Sequence, residues 1–338
     1  MPLRPALAKV VSRQALTEEE AHRAMGLIMD GEATPAQIAA FITALAVRGE
    51  TVEEITGFAR AIRERAVTIC PRADHLVDIV GTGGDRLNTF NISTATAFVV
   101  AGAGGHVAKH GNRAASSRSG SADVLEALGI NLDAPPDVVQ ECVEEIGFGF
   151  LFAPRFHPAF KHALGPRREI GIRTVFNILG PLTNPAGARR YLQGVPSLAH
   201  TEVMARVLAQ LGAERAFVVH GQDGMDEISI CAPTQVSEVA DGTVRTYTLA
   251  PEELGFRRAP LEALRGGSPE ENAQICVSIL RGERSARRDI VLANAAVALV
   301  AAGLAQTVPD GVARAAESID SGRAYAKLEA LRLKTKFA

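Results

Sequence analysis

From Leu76 onward the chain alternates short apolar runs with helical segments, and that alternation leaves few architectures open. "LVDIV" (76–80), "HVAKHG" (106–111), "FGFLFA" (148–153), "YLQGV" (191–195) and "RAFVVHG" (215–221) each end near a loop. Between them, residues 94–103, 122–128, 136–146 and 201–211 read as helices. Such alternation predicts an α/β fold with a mostly parallel sheet and helices on its faces. "SEVADGTVRTYTL" (237–249) departs from it. Asp241-Gly242 lies between two alternating runs, a hairpin signal, so an antiparallel edge to the sheet is expected.

The first seventy residues read as helices only. Thr17 with Glu20, Thr34 with Gln37 and Thr51 with Glu54 each have capping-box spacing, and Pro35 stands where a helix's first N–H needs no partner. Apolar residues follow at helical spacing: Ala21, Met25, Ile28; Ile38, Phe41, Leu45; Ile55, Phe58, Ile62. A small helical bundle is expected, its apolar stripes forming core and a subunit contact. Residues 157–185, "HPAFKHALGPRREIGIRTVFNILGPLTNP", are basic and rich in Gly and Pro, which suggests a segment crossing near a cleft. After Pro251 the chain is helical again. The expected organisation is a small helical domain over 1–70, revisited around 160–190, and a large α/β domain over 71–160 and 190–338.

Composition narrows the function classes. The 338 residues carry a formal net charge of -2, against the basic excess of a nucleic-acid binder. With no Trp and 3 Tyr, base-stacking platforms are scarce. Cys70, Cys142, Cys231 and Cys276 form no CxxC pair, so reduced and mostly buried thiols are expected. "MPLRPALAKV" lacks the apolar core of a signal peptide, and the apolar run from Ile290 is short for a membrane span and holds Asn294. A cytoplasmic protein with no membrane or nucleic-acid partner is expected.

The glycine loop Gly81-Thr82-Gly83-Gly84-Asp85 follows a strand, where ligands sit in open α/β sheets. Arg86 stands where a dinucleotide fingerprint needs glycine, and no Gly-Lys-Ser/Thr follows as a P-loop requires. What remains is a set of N–H groups able to converge on an anion. Asn91, Ser93 and Thr94 open the next helix, whose N-terminus favours phosphate; simple N-capping by Ser93 is the plain alternative. "KHGNRAASSRSGSADVLEALG" (109–129) adds positive charge from Lys109 and Arg113 and donors from Asn112, Ser116, Ser117, Ser119 and Ser121. Two such loops after successive strands outweigh a merely solvated turn. Asp226 and Glu227, adjacent in a loop after a third strand, suit Mg²⁺, which prefers oxygen ligands and phosphate oxygens. A pyrophosphate-bearing substrate with Mg²⁺ accounts for all three. No nucleophilic triad is in evidence, so stabilisation of a leaving group is the expected chemistry.

"GTGGD", "TFNIST", "KHGNRAASSRSGSADVLEALG", "REIGIRTVFNILGPLTNP" and "HGQDGMDEIS" together resemble the motif series of the anthranilate phosphoribosyltransferases, and the resemblance spans nearly the whole chain. It implies transfer of phosphoribosyl from 5-phosphoribosyl 1-pyrophosphate to anthranilate in tryptophan biosynthesis, a fold related to pyrimidine nucleoside phosphorylases, Mg²⁺, a hinge between domains, and a homodimer through the helical domain. On matching positions it implies phosphoribosyl pyrophosphate contacts from Gly81, Gly84, Asp85, Thr89, Asn91, Ile92, Ser93 and Thr94. The loop Lys109, His110, Gly111, Asn112, Arg113, Ala114, Ala115, Ser116 and Ser117, with Ser121, joins them. It implies metal ligation by Ser93, Asp226 and Glu227, and electrostatic support from Lys109. Asn112 and Arg167 would hold anthranilate near Gly81, with His110, His157 and Pro181 lining its pocket. Arg86 departs from the family, which has glycine there. A nucleoside phosphorylase would share fold and phosphate loop, but "KHGNR" and the tandem acids speak against it; a non-catalytic nucleic-acid binder is disfavoured by the charge balance.

Overall fold

The structure is a computed structural model that describes residues 3–336 apart from Gly84, Arg86, Ala115, Ser116 and Ser117. Four helices open the chain: α1 (Arg4–Val11), α2 (Glu18–Met29), α3 (Pro35–Arg48) and α4 (Val52–Arg63). Thr17, Thr34 and Thr51 cap α2, α3 and α4, each in a reciprocal box with the residue three positions on. Each box satisfies two backbone donors that the first turn leaves free. The inward faces bury Met25, Ile28, Phe41, Leu45, Phe58 and Ile62.

Strand β1 (Leu76–Gly81) leads to α5 (Ile92–Gly102), then β2 (His106–Gly111), α6 (Ser121–Ala127) and α7 (Pro136–Glu141). A π-turn over Cys142–Ile146 replaces the α-helix expected to run on to 146. After β3 (Phe148–Phe152) come α8 (Ala153–Phe156), α9 (Lys161–Ile170) and α10 (Phe176–Leu179). Then follow β4 (Arg190–Gly194), α11 (Leu198–Gln210), β5 (Arg215–Gly221) and the hairpin β6 (Thr234–Ala240) and β7 (Thr243–Leu249). Four helices close the chain: α12 (Pro269–Leu280), α13 (Ala286–Ala301), α14 (Val308–Asp320) and α15 (Arg323–Lys336).

The seven strands form one sheet in the order β3-β2-β1-β4-β5-β6-β7, parallel except that β6 runs antiparallel to both β5 and β7. Asp241 and Gly242 both have positive φ, 50° and 74°, as the tight hairpin turn between β6 and β7 requires. Helix α13 is buried almost throughout, and with α5 it covers one sheet face. Helix α11 lies on the other face and touches α4. Helix α9 packs against α2 and α3, so the 157–185 segment lies on the N-terminal bundle. No helix among the described residues is long and apolar enough to cross a membrane. Cys142 and Cys276 are buried as expected, but Cys231 is only partly buried and Cys70 is exposed.

Candidate active site

Chain order reverses at β1, which pairs with β2 on one side and β4 on the other. Loops after the strands therefore splay apart there and leave a crevice at the carboxyl edge. The glycine loop leaves β1, the Lys109 loop leaves β2, and the Asp226-Glu227 loop follows β5.

Gly83 donates its N–H to Asp226 Oδ2 at 2.9 Å, so the glycine and acidic loops touch. Asp85 shares a hydrogen bond with Asp226. Burial, then the Asp85 charge, pushes the Asp226 carboxyl up to about 7. Burial and the Asp226 charge push Glu227 well above the usual carboxylate range, although Lys109 and the Ser93 N–H favour its charge. Acids raised by burial and by neighbouring carboxylate charge are suited to a divalent cation, which favours their ionised forms. Among the described residues no three His, Cys, Asp or Glu side chains converge as a ready metal cage. That suits Mg²⁺, which takes one or two carboxylates and completes its shell from substrate phosphate and water.

Helix α5 starts at Ile92, two residues earlier than expected. Its cap residue Asn91 makes no side-chain capping bond, and Ser93 lies in the first turn rather than at the cap. Ser93 Oγ accepts from Lys109 Nζ at 3.1 Å, and the same ammonium donates to the Ile79 carbonyl. Lys109 is thus buried beneath the crevice, and burial pulls its pKa down against the attraction of Asp78, Glu227 and Asp226. Asn91 joins loops: its Nδ2 donates to the Ser119 carbonyl at 3.2 Å and its Oδ1 accepts from Asn272 Nδ2 at 2.9 Å. Thr89 forms a backbone bridge to Arg265. The Thr94 hydroxyl is buried without a described partner.

Arg113 behaves differently from the expected phosphate ligand. It is paired with Asp123 at 3.0 Å and Glu126 at 2.8 Å on α6. Asp123 also accepts from the N–H groups of Ala114 and Gly120, and Ser121 Oγ donates to the Asn112 carbonyl. Gly111 is required by close approach: a Cβ there would lie 2.4 Å from Ser121 Oγ. Gly84, Ala115, Ser116 and Ser117 lie outside the described residues, as does Arg86.

A row of rings joins β2 to the 157–185 segment. His110 and His157 are 4.9 Å apart, His157 and Phe160 5.5 Å, and Phe160 and Phe176 5.7 Å. The Arg167 guanidinium lies over Phe176 at 5.1 Å, and burial lowers its pKa. His110 Nδ1 donates to the Gly180 carbonyl at 3.0 Å, while Nε2 of both histidines is buried without a described partner. Burial lowers His110 to about 3 and His157 to about 4, so both rings are neutral at pH 7.

Several supporting residues escaped the sequence reading. Asp78, raised to about 7 by burial, accepts from Asn184 Nδ2 at 2.7 Å and from the His110 N–H at 3.3 Å. Asn294 on α13 clasps Ile228 through its N–H and its carbonyl, each at 2.9 Å, and so fixes the chain just after Glu227. Asn294 carried a signal, a lone amide in an apolar helix; Asp78 on its strand carried none.

Two family models match the chain: "Glycosyl transferase family, helical bundle domain" over residues 4–66 and "Glycosyl transferase family, a/b domain" over 73–325. An anthranilate phosphoribosyltransferase of Moorella thermoacetica is 57% identical over 329 residues, 97% of each chain. Among solved structures, the anthranilate phosphoribosyltransferase of Thermus thermophilus superposes with a TM-score of 0.93 at 48% identity, covering 99% of this chain and 100% of its own. The Saccharomyces cerevisiae enzyme, in complex with PRPP and Mg, gives 0.91 at 30% identity, with 99% and 98% covered.

Proposed function

This chain belongs to the anthranilate phosphoribosyltransferase family, and from that premise we propose that the crevice at the β1 edge is its active site. The enzyme transfers phosphoribosyl from 5-phosphoribosyl 1-pyrophosphate to anthranilate, giving N-(5-phosphoribosyl)anthranilate and pyrophosphate in tryptophan biosynthesis. The observation that carries the placement is the contact between Gly83 and Asp226, which brings a phosphate-type loop and an acidic pair to one point.

In this reading Gly81, Gly84, Asp85, Thr89, Asn91, Ile92, Ser93 and Thr94 contact the phosphoribosyl pyrophosphate, as do residues 109–117 and Ser121, Arg113 through its backbone since its side chain is paired with Asp123 and Glu126. Ser93, Asp226 and Glu227 hold Mg²⁺, which neutralises pyrophosphate charge when bound. The anthranilate amine forms the C–N bond at the anomeric carbon as the C–O bond to pyrophosphate breaks, and the amine then gives up a proton. The aromatic amine is neutral at pH 7, so attack needs no strong base. Lys109 supports the charge from below, through Ser93. Arg167 pairs with the anthranilate carboxylate, as a guanidinium does well, and Asn112, with neutral His110, His157 and Pro181, borders the ring. Positioning by these groups and domain closure supply much of the rate.

The direct test mixes protein, anthranilate, phosphoribosyl pyrophosphate and Mg²⁺ and follows loss of anthranilate fluorescence. No loss, together with phosphorolysis of thymidine or uridine, would overturn the assignment. Arg167→Ala is expected to raise KM for anthranilate by roughly 10–100-fold, the loss of a charge-assisted bond, with KM for phosphoribosyl pyrophosphate little changed. Equal effects on both substrates would argue against the carboxylate role.

The domain boundaries in this proposal are 1–70 with a return near 160–190, and 71–160 with 190–338; the packing of α9 on α2 and α3 supports the return. A homodimer through the helical domain is part of the same reading. Val11 and Val47 are 65% and 79% exposed and border a groove of about 620 Å³ on α1 and α3, lined also by Val10, Ala40 and Ala44. Val11→Glu with Val47→Glu should weaken dimerisation roughly 30-fold or more by sedimentation velocity. A wild-type monomer at micromolar concentration would refute the dimer. A cytoplasmic location accords with four unpaired cysteines, which a reducing compartment keeps as thiols.

A further inference from the structure

Gly83 is the pivot of the glycine loop. Its φ is +63°, and nothing lies within 4 Å of where a Cβ would stand. Hydrogen bonds fix it from two sides. On one side its N–H donates to Asp226 Oδ2 at 2.9 Å. On the other its carbonyl accepts from Arg173 Nη2 at 3.3 Å. Arg173 comes from the 157–185 segment, between α9 and α10. Its base is anchored: the next residue, Thr174, donates its N–H to Asn177 Oδ1 at 2.9 Å, and Val175 and Phe176 are buried.

His200, in the first turn of α11, is held below its ordinary pKa by burial and then by the Arg173 charge, so Arg173 reaches the side of the loop next to the start of α11. The segment that carries it also carries Arg167, six positions earlier, which faces Phe176.

We propose that Arg173 is a positioning residue that clamps Gly83 between the crossing segment and Asp226, holding the glycine loop in its phosphate-binding conformation. The inference rests on the reading of that loop as the phosphoribosyl pyrophosphate cradle. Glycine loses more conformational freedom on ordering than any other residue, so a loop ordered before substrate arrives binds more tightly. Because the arm also belongs to the anthranilate side, ordering there is transmitted to the pyrophosphate side. Arg173 is itself exposed, so its hold on the loop rests on this hydrogen bond and not on burial.

The test is steady-state kinetics on the full-length enzyme with Mg²⁺. Arg173→Met should raise KM for phosphoribosyl pyrophosphate by roughly 3–10-fold, one lost hydrogen bond, with kcat within about twofold of wild type. Arg173→Lys, which keeps one donor for the carbonyl, should recover most of the loss. The melting temperature should be unchanged in both. A KM for Arg173→Met within about twofold of wild type would overturn the clamp. So would a loss that lysine does not recover and that comes with a lowered melting temperature, since that pattern is structural. Calorimetric titration of wild type with phosphoribosyl pyrophosphate and Mg²⁺ separates the two ideas: no binding there overturns the cradle itself, whereas binding with an unaffected Arg173→Met overturns only the clamp.

Discussion

Asp226→Asn combined with Glu227→Gln is expected to lower kcat/KM by at least roughly 10³-fold, because the two charges proposed to hold Mg²⁺ at a developing pyrophosphate are removed. The same variant should be no less stable than wild type. In the metal-free protein, burial and the Asp85 charge raise the Asp226 pKa to about 7, and burial and the Asp226 charge raise Glu227 well above the usual carboxylate range. The folded state then binds more protons than the unfolded chain once pH exceeds the unfolded carboxylate value. Stability is lost as pH rises from about 4 toward 7, and by pH 8 Asp226 alone opposes folding by on the order of 4 kcal/mol. Neutral amides of the same shape escape that penalty. Glu227 carries a penalty of the same kind, which the Lys109 charge reduces without removing. In EDTA at pH 8 the variant should therefore melt several degrees higher than wild type. Adding MgCl₂ with phosphoribosyl pyrophosphate should raise the wild-type melting temperature and leave the variant unmoved. Wild-type-like kinetics, or the same response to Mg²⁺ in both proteins, would sink the metal assignment.

Gly194→Ala is expected to cost activity by about 10²-fold with a modest loss of stability. Gly194 ends β4 beside Gly81, and its carbonyl accepts the Thr82 N–H at 3.1 Å. A Cβ at this position would stand 1.7 Å from the Asp226 carbonyl oxygen, so the acidic loop must move. A shift of about 1 Å in the carboxylate proposed to bind Mg²⁺ is enough to cost about 10²-fold in rate, and a single added methyl in packed surroundings costs about 1–3 kcal/mol. The loss should fall mainly on kcat and on the Mg²⁺ concentration needed for half-maximal rate. Unchanged Mg²⁺ dependence would show that the Gly194 contact does not govern the carboxylates.

Local chemistry explains which parts of the fold were legible. Capping boxes at Thr17, Thr34 and Thr51 are contained within four consecutive residues, and the Asp241-Gly242 turn needs only two residues that tolerate positive φ. Both can be read without knowing what they pack against. Helix starts were less accurate: α5 begins at Ile92 because the chain pairs with itself at Phe90 and with Leu264 just before it, a contact 174 positions away in sequence. The helix predicted over 136–146 ends as a π-turn where Cys142, Val143 and Ile146 pack beneath β3.

The candidate site divides in the same way. Residue types and spacing gave the glycine loop, the Lys109 loop and the adjacent acids, since phosphate and Mg²⁺ demand particular donors in short stretches. They could not give the direction of a long side chain. Lys109 and Arg113 both looked like phosphate ligands. In the fold Lys109 turns beneath the crevice to Ser93 and the Ile79 carbonyl, and Arg113 turns outward to Asp123 and Glu126.

By itself, then, the sequence determined the class of fold, the kind of anion and the family, because these follow from local propensity, periodicity and extended motifs. Only the tertiary structure decided that Gly83 meets Asp226 across 143 positions, that Gly194 leaves room for it, and that Asn294 holds the chain beside it. Those contacts join segments remote in sequence at the edge of one sheet. Their existence depends on strand order, and strand order is set by packing of the whole domain rather than by any single stretch.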